Sequence, residues 1–231
     1  YLRSCFIFRD LTENELSLLA GSGGTKNFNA GQIIKQVEQK DEAFYLVITG
    51  RVKLVRTSYE GKEQILYLFG PGEVFCLIGL VPGQECPGSF VALEQSKVFV
   101  IPAQKFRELV LSQPDLMFKI LSLLTYKLKT ALDTIASFSL MDVPQRVAAF
   151  FVQSISFDRN GERMALNLNI SRKELAKIVG VTPETMSRVI RKMEEKGLIG
   201  IQGRNIQILK PESLHRLSSG ELRLDMVNVD F

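Results

Sequence analysis

The side chains best suited to chemistry lie on one face of a short predicted helix that begins at Pro183. Residues at i, i+3 and i+4 of a helix share a face, and here that face is polar. It carries Glu184, Ser187, Arg188, Arg191 and Lys192, whereas the opposite face carries Met186, Val189, Ile190 and Met193. Such a polar face can neutralise phosphates and hydrogen-bond base edges in a DNA groove.

Two helices and a tight turn are expected to position this face. Ser171 is a suitable N-cap for the first helix, with Glu174 three residues later, and Gly180 supplies the positive φ that ends it. Thr182 caps the second helix, and Pro183 takes its first position, where a missing N–H costs nothing. The pattern predicts a helix-turn-helix whose second helix enters the major groove. The alternative is an ordinary helical hairpin with a solvated charged face.

The residues around this hairpin favour DNA binding. Apolar runs at 197–201 and 206–209 flank a polar turn, which predicts a two-stranded wing. Residues 171–210 hold nine Lys/Arg against four Glu, whereas the rest of the chain holds 20 basic and 21 acidic residues. The positive charge is therefore concentrated where contact with phosphates requires it.

Composition narrows the classes of function. The 231 residues include one histidine, His215, and three scattered cysteines, which disfavours His-based catalysis, a paired-cysteine zinc site and a disulfide framework. No phosphate-binding Gly-rich loop is present, and we expect a protein that is not an enzyme. No apolar stretch reaches about 18–20 residues, so no membrane partner is expected and the cytoplasm is the expected location.

The N-terminal half has a different pattern. Residues 11–20 form an amphipathic helix with Thr12 as its N-cap. Glycine-punctuated strand-like segments then follow at 29–36, 43–50, 51–58, 63–70, 72–79 and 97–102. Closely spaced short strands predict an antiparallel β-roll or small barrel. A short helix is expected directly after the roll, at 102–112. The expected fold class is α+β, with an N-terminal antiparallel β-roll of the jelly-roll type and a C-terminal winged helix-turn-helix.

A long helix is predicted between these two parts, from Gln113 to about Leu140. Its apolar residues recur in steps of four and three over three heptads, at Met117, Leu121, Leu124, Leu128, Ala131, Ile135 and Phe138. Such a repeat predicts a coiled-coil seam and a homodimer, and the alternative is a helix packed on its own domain. The expected divisions are a sensing domain at 1–112, a dimerisation helix at 113–141 and a DNA-binding domain at 142–231.

The order of these parts resembles the CRP/FNR family of bacterial transcription regulators over essentially the whole chain. The resemblance rests on GPGEVF in the roll, LMDVPQRVAAFF at the hinge and VTPETMSRVIRKMEEKGLI in the reading head. It implies a homodimer whose N-terminal roll resembles a cyclic-nucleotide-binding domain and senses a small effector. Binding of the effector then changes the arrangement of the two DNA-reading helices. The implied partners are a double-stranded DNA operator, a second copy of the chain and RNA polymerase.

The resemblance also assigns roles in the reading head. In the E-x-x-S-R pattern of the family, Glu184, Ser187 and Arg188 face base edges. Pro183 stands where a CRP-type head has an arginine, so an FNR-type readout of TTGA-containing half-sites in a palindrome is favoured. Arg188 can pair bidentately with guanine, and Glu184 can accept from the cytosine amino group. The expected phosphate contacts are Ser171, Arg172, Lys173, Thr182, Arg191 and Lys192.

The sensor departs from the cyclic-nucleotide pattern of the family. Leu77 stands where that pattern has a glutamate, no arginine lies between Arg56 and Arg107, and Ala131 and Leu132 replace polar contacts. A bound phosphodiester would lack a cationic partner, which disfavours cyclic nucleotides.

A [4Fe–4S] cluster is disfavoured as well, because it needs four thiolates and Cys5 is alone near the N-terminus. An apolar effector pocket is expected instead, lined by Phe75, Cys76, Leu77, Ile78, Leu124, Leu128 and Leu132. The GEVFC segment is similar to that of the CO-sensing haem branch, where the cysteine is an axial ligand, so haem on Cys76 is one candidate. The nitric-oxide-responsive haem branch also has an apolar pocket. The alternatives are Cys76 as a buried apolar residue, a redox role with Cys86, and an apolar organic effector.

Overall fold

The computed structural model describes residues 1–36, 43–81, 84–154, 170–202 and 205–227. These residues fall into two units, Tyr1–Leu128 and Lys129–Phe231. Within the described part of the chain, no helix has the length and apolar character needed to cross a bilayer.

The first unit contains α1 (Glu13–Ser22), α2 (Ala103–Ser112) and two antiparallel sheets. The strands are β1 (Gly24–Phe28), β2 (Ile33–Lys35), β3 (Ala43–Thr49), β4 (Val52–Thr57), β5 (Glu63–Phe69), β6 (Val74–Phe75), β7 (Ser89–Ala92) and β8 (Ser96–Pro102). Their orders are β1-β8-β3-β6 and β2-β7-β4-β5. The predicted antiparallel roll is therefore confirmed.

The sequence pattern missed two strands and extended a third too far. β1 is rich in polar residues and β7 lies in a stretch for which no element was predicted, yet both pair with neighbours. The predicted strand at 72–79 ends at Phe75, because Cys76 adopts a left-handed backbone and a 3-10 turn follows at Leu77–Leu80.

The alternation of β3 divides the apolar core of this unit into two clusters. Successive strand residues point to opposite faces. Phe44 and Leu46 face the helices and belong to what we call the helix-side cluster. Tyr45 and Val47 face the other way, into what we call the roll-interior cluster. The helix-side cluster is Leu2, Cys5, Ile7, Phe8, Leu11, Leu16, Leu19, Phe44, Leu46, Val74, Leu77, Phe99, Ile101, Phe106, Leu116 and Ile120. The roll-interior cluster is Tyr45, Val47, Val52, Leu54, Phe69, Phe75, Cys76, Cys86, Phe90 and Val98.

Side-chain hydrogen bonds cap the starts of two helices, and the cap of the first was predicted. At the start of α1, the Thr12 N–H donates to the Glu15 carboxylate at 2.7 Å, and the Thr12 hydroxyl accepts from the Glu15 N–H. The long helix α3 (Pro114–Leu140) begins one residue after the predicted start and ends at the predicted residue. It ends just before Asp142, which caps α4 (Val143–Gln153) by accepting from the N–H of Gln145 at 2.9 Å.

The second unit contains the remaining helices and the wing. They are α5 (Arg172–Val179), α6 (Pro183–Glu195), α7 (Pro211–Ser219) and a 3-10 turn at Leu224–Met226. The wing is the antiparallel pair β9 (Ile199–Gln202) and β10 (Asn205–Ile208). The winged helix-turn-helix is thus confirmed, whereas the polar loop expected at 157–163 lies outside the described residues.

Candidate nucleic-acid interface and roll interior

The turn between α5 and α6 forms as its residue types require. The Ser171 hydroxyl accepts from the N–H of Glu174 at 3.2 Å at the start of α5. Gly180 ends α5 with φ of 73°, in the left-handed region where glycine has no Cβ penalty. The Thr182 hydroxyl accepts from the N–H of Thr185 at 3.3 Å at the start of α6. These caps fix where α6 begins and hence which of its residues face outward.

The buried and exposed faces of α6 separate apolar from polar residues. Met186, Ile190 and Met193 are fully buried. Glu184 and Arg188 are exposed, and Ser187 between them is half-buried. The structure therefore brings the three predicted base-reading residues together on one solvent-facing surface.

Local hydrogen bonds orient this surface. One Arg188 terminal nitrogen (Nη2) donates to the Thr185 hydroxyl at 3.3 Å. The backbone N–H of Glu184, the Thr182 hydroxyl and the charge of Arg188 hold the pKa of the Glu184 carboxyl below its usual range. Glu184 is therefore ionised at neutral pH, as an acceptor for a base amino group must be.

The predicted phosphate contacts have different surroundings. Arg172, Lys173 and Arg191 are exposed. The Ser171 hydroxyl also donates to the Glu174 carboxylate at 2.8 Å, so it is engaged within its own turn.

Lys192 differs from the other predicted phosphate contacts, because its ammonium pairs with the Asp225 carboxylate. Lys196, the residue directly after this helix, donates to the Val227 carbonyl at 2.6 Å. The segment after α7 therefore docks on the C-terminal half of α6. This contact could not be predicted from a local pattern, because it joins residues 33 positions apart.

The α3 residues predicted for the dimer seam present a continuous apolar stripe. All of them are exposed in the single chain, from Phe138 at 40% to Ile135 at 62% among the large side chains. Phe138 is partly covered, since the Arg146 guanidinium lies 5.2 Å from its ring centroid.

The residues predicted to line an effector pocket fall into three groups. Phe75 and Cys76 are buried in the roll-interior cluster, and Ile78 packs against it. Leu77 points away from them, into the helix-side cluster. Leu124, Leu128 and Leu132 are exposed along α3.

Cys76 and Cys86 face each other inside the roll. Their sulfur atoms are 2.8 Å apart, and both side chains are 5% exposed. Strand alternation would place Phe75 and Cys76 on opposite faces. The left-handed conformation of Cys76, with φ of 61° and ψ of 32°, turns both side chains to the same side.

Two lysines bring positive charge to this region. Lys35 is 3% exposed. It pairs with Phe90 across a register shift between Ile33 and Lys35, which leaves Ile33 exposed and turns Lys35 inward. The Lys127 ammonium lies 3.9 Å from the Tyr67 ring centroid. The expectation that a bound phosphodiester would lack a cationic partner considered arginines alone, and it stays a prediction beside these two lysines.

Burial shapes the ionisation of the groups around Lys127. Desolvation lowers the pKa of Lys127, partly opposed by the charge of Glu73. The Tyr67 hydroxyl donates to Glu73 at 3.1 Å, and burial together with Glu73 raises the pKa of Tyr67. In the described ranges, no group of three or more His, Cys, Asp or Glu residues is arranged to hold a metal ion.

Known proteins match both parts of the chain. Residues 25–113 match the cyclic nucleotide-binding domain, and residues 145–217 match the Crp-like helix-turn-helix domain. The chain is 27% identical over 172 residues to the cAMP-activated global transcriptional regulator CRP of Salmonella typhimurium, which is 74% of this chain and 82% of that protein.

Solved structures show the same fold. FixK2 from Bradyrhizobium japonicum superposes with a TM-score of 0.74 at 24% identity, covering 84% of this chain and 96% of that one. A transcriptional regulator of the CRP/FNR family from Thermus thermophilus superposes with a TM-score of 0.67 at 25% identity, covering 85% and 98%.

Proposed function

The chain belongs to the CRP/FNR family, and from this premise we propose that it is a homodimer that reads a TTGA-type palindrome under the control of a small effector. As a member of that family it is a DNA-binding transcription regulator with an effector-binding domain. The proposal concerns the sequence that it reads, its oligomeric state and the kind of effector.

The observation that carries the proposed readout is the polar surface of α6. Glu184, Ser187 and Arg188 lie on one side of the helix, opposite the fully buried Met186 and Ile190. A helix with this division can enter the major groove and still keep its apolar face packed. Arg188 supplies a bidentate donor for guanine, and the ionised Glu184 supplies an acceptor for a cytosine amino group.

Arg188→Ala tests this readout directly. We would measure the affinity of the purified protein for a palindromic duplex with two TTGA half-sites and for a scrambled duplex. The variant should lose about 1–3 kcal/mol per half-site on the palindrome, while its weak, salt-sensitive binding to the scrambled duplex remains.

Arg191→Ala is the matched control, because it removes an exposed arginine from the same helix. As a phosphate contact, it should weaken binding to both duplexes by similar factors and reduce the salt slope by about 1 per site. Unchanged affinity of Arg188→Ala for the palindrome would show that α6 does not read bases through this residue. Absence of palindrome binding by the wild type would favour a module that acts by protein contact.

The apolar stripe on α3 supports the homodimer. Its side chains recur at heptad spacing over more than five turns, and each is exposed to solvent in the single chain. An exposed apolar stripe of this length is stabilised by packing against a second helix. The symmetric solution is a parallel pair of α3 helices, which would also pair two reading heads as a palindrome requires.

We propose an effector other than a cyclic nucleotide. Leu77, which stands where the cyclic-nucleotide pattern has its glutamate, is buried in the helix-side cluster and offers no hydrogen-bond acceptor to a ribose. We therefore expect millimolar cAMP to leave the affinity for the palindrome unchanged. Tightening of binding by cAMP at micromolar concentration would contradict this.

The surroundings of Cys76 argue against haem iron. Its sulfur lies against Cys86, and the neighbouring Phe75 ring stacks on Tyr45 with centroids 4.9 Å apart. A porphyrin at this thiol would have to displace the packed rings of the roll-interior cluster. A haem titration that produced no saturable Soret shift would agree with this interpretation.

A further inference from the structure

We propose that Cys76 and Cys86 form a reversible dithiol–disulfide site inside the roll, oxidised by hydroperoxides, through which oxidants change the DNA affinity of this regulator. The chemical part of this proposal is independent of the DNA-binding function. Only the change in DNA affinity rests on the function proposed above.

The first support is the distance between the two thiols. Their sulfur atoms are 2.8 Å apart, whereas the sulfurs of a disulfide are about 2.05 Å apart. An approach of less than about 1 Å would therefore be enough to form the bond.

The second support is the backbone of Cys76. Cys76 is the one non-glycine residue with positive φ among the residues that the structure describes. A left-handed conformation costs a non-glycine residue free energy, and such strain concentrates at functional sites. Here its effect is to direct the Cys76 side chain toward Cys86 instead of leaving it on the face that strand alternation would give.

The third support is the electrostatic environment of Cys86. The hydrogen bond with the Cys76 thiol and the charge of the buried Lys35 lower the pKa of Cys86, against the opposing effect of burial. Cys86 also lies between exposed Glu85 and Pro87, so a small oxidant has a short path to it. A low-pKa thiol beside a second thiol is the arrangement found in redox-sensitive cysteine pairs.

Cys5 provides an internal contrast. It is 1% exposed in the helix-side cluster, and burial raises its pKa to about 11. Because the thiolate is the nucleophile, Cys5 should react far more slowly than Cys86.

The reaction balances with one hydroperoxide per pair. The Cys86 thiolate attacks one peroxide oxygen and breaks the O–O bond, which gives a sulfenic acid on Cys86 and releases water or an alcohol. The Cys76 sulfur then attacks the Cys86 sulfur and forms the disulfide, and the displaced hydroxyl leaves as water with the Cys76 proton. Two thiols are oxidised by two electrons in total, and the peroxide is reduced by the same number.

Disulfide formation can affect the helices of this unit through the neighbouring residue. Leu77 follows Cys76 directly and packs in the helix-side cluster with Leu116 and Ile120 of α3. A covalent bond that moves the Cys76 backbone therefore moves a side chain that shares an apolar cluster with two residues of the helix of the proposed dimer seam.

The test is oxidation of the full-length, reduced protein with equimolar hydrogen peroxide, followed by alkylation of the remaining thiols under denaturing conditions. We expect one alkylated cysteine, Cys5, and a mass lower by two hydrogen atoms before alkylation. Cleavage after Glu85 separates Cys76 from Cys86, so the two fragments should stay linked until dithiothreitol is added. Three alkylated cysteines, or oxidation of Cys5 as fast as Cys86, would overturn the proposal.

Serine variants keep the side-chain volume nearly unchanged. They show which cysteine carries out each step of disulfide formation. In Cys76→Ser the sulfenic acid on Cys86 should persist and react with dimedone. Cys86→Ser should form no intramolecular disulfide, and Cys5→Ser should oxidise as the wild type does. A dimedone adduct on Cys76 in Cys86→Ser, at the wild-type rate, would contradict the assignment of Cys86 as the attacking thiol.

A DNA-binding measurement tests whether oxidation of the cysteine pair controls the affinity for DNA. Oxidation should change the affinity for the palindrome by at least about fivefold in the wild type and in Cys5→Ser, reversibly with dithiothreitol, and should have no effect in Cys86→Ser. If the disulfide forms without changing this affinity, the proposal that oxidants control DNA binding is wrong. Failure of the proposed function would look different, because the reduced protein would not bind the palindrome while its thiol chemistry stayed as expected.

Discussion

The reading head and the roll interior place their polar groups in opposite environments. On α6 the charged residues Glu184, Arg188 and Arg191 are exposed, and the buried face is apolar throughout. In the roll, Lys35 is buried opposite Phe90, and its charge acts on the buried thiol of Cys86.

This difference corresponds to two kinds of recognition. Exposed charges on a rigid helix can meet a large polyanion without moving, and their contribution is screened by salt. A buried ammonium and paired thiols are accessible only to small molecules. A change in their charge or bonding strongly affects the neighbouring residues, because these are closely packed. The substitutions below test this division, from the largest expected effect to the smallest.

Phe75→Ala should be the most destabilising change, and it should act on the roll alone. Phe75 is 1% exposed and contacts Tyr45 and Phe90 at centroid distances of 4.9 Å and 4.8 Å. Its removal should cost about 3–5 kcal/mol of unfolding free energy in this unit. Calorimetry should show one transition shifted and the transition of the winged helix-turn-helix unchanged. A uniform shift of both transitions would mean that the two units do not unfold independently.

Leu124→Glu should disrupt the dimer and with it the recognition of a palindrome. The substitution places like charges face to face in the proposed seam. We expect monomers by analytical ultracentrifugation and a loss of palindrome affinity of at least about 100-fold, or about 2.7 kcal/mol. Thr125→Glu is the control, because it adds the same charge at the next exposed position outside the stripe. A monodisperse dimer of Leu124→Glu would show that the heptad-spaced residues of α3 do not form the dimer seam.

Thr182→Ala should weaken the start of the reading helix. It removes the hydroxyl that accepts from the Thr185 N–H, which should cost about 1 kcal/mol of stability in the second unit. Thr182→Ser keeps the acceptor and should restore most of the loss. Equal stability of the alanine and serine variants in thermal unfolding would show that the cap contributes little.

Asp225→Asn should have the smallest effect, and it should increase DNA affinity. Lys192 pairs with Asp225, and its hydrogen bond and charge lower the pKa of Asp225, so the pair is present at neutral pH. Releasing Lys192 to a phosphate should make the salt slope of DNA binding steeper by up to about 0.9 per protomer. Asp225→Asn combined with Lys192→Gln should cancel the effect. A slope unchanged in Asp225→Asn would show that Lys192 does not reach the phosphates.

The reading head was predictable because its determinants are local. Capping by Ser171 and Thr182, the positive φ of Gly180 and the apolar spacing of α6 each involve residues within a few positions of one another. The same holds for the bounds of α3. In all of these, short-range sequence determines the backbone and the exposed face follows from it.

The roll interior was less predictable because its determinants are distant in sequence. The inward turn of Lys35 depends on a register shift against β7. The approach of Cys86 to Cys76 depends on a left-handed residue where alternation predicted a strand. The strands β1 and β7 escaped detection because pairing with neighbours, and not their own pattern, makes them strands.

The measurement that tests the account most directly is a double-mutant cycle between Arg188 and the guanine of the TTGA half-site. The wild type should lose about 1–3 kcal/mol per half-site when each G·C pair is changed to A·T. Arg188→Ala should lose less affinity than the wild type on the altered palindrome, because its contact with the guanine is already absent and only the Glu184 contact with the paired cytosine is removed. If Arg188→Ala lost as much affinity as the wild type on the altered palindrome, Arg188 would not contact that guanine and the proposed orientation of α6 would be wrong.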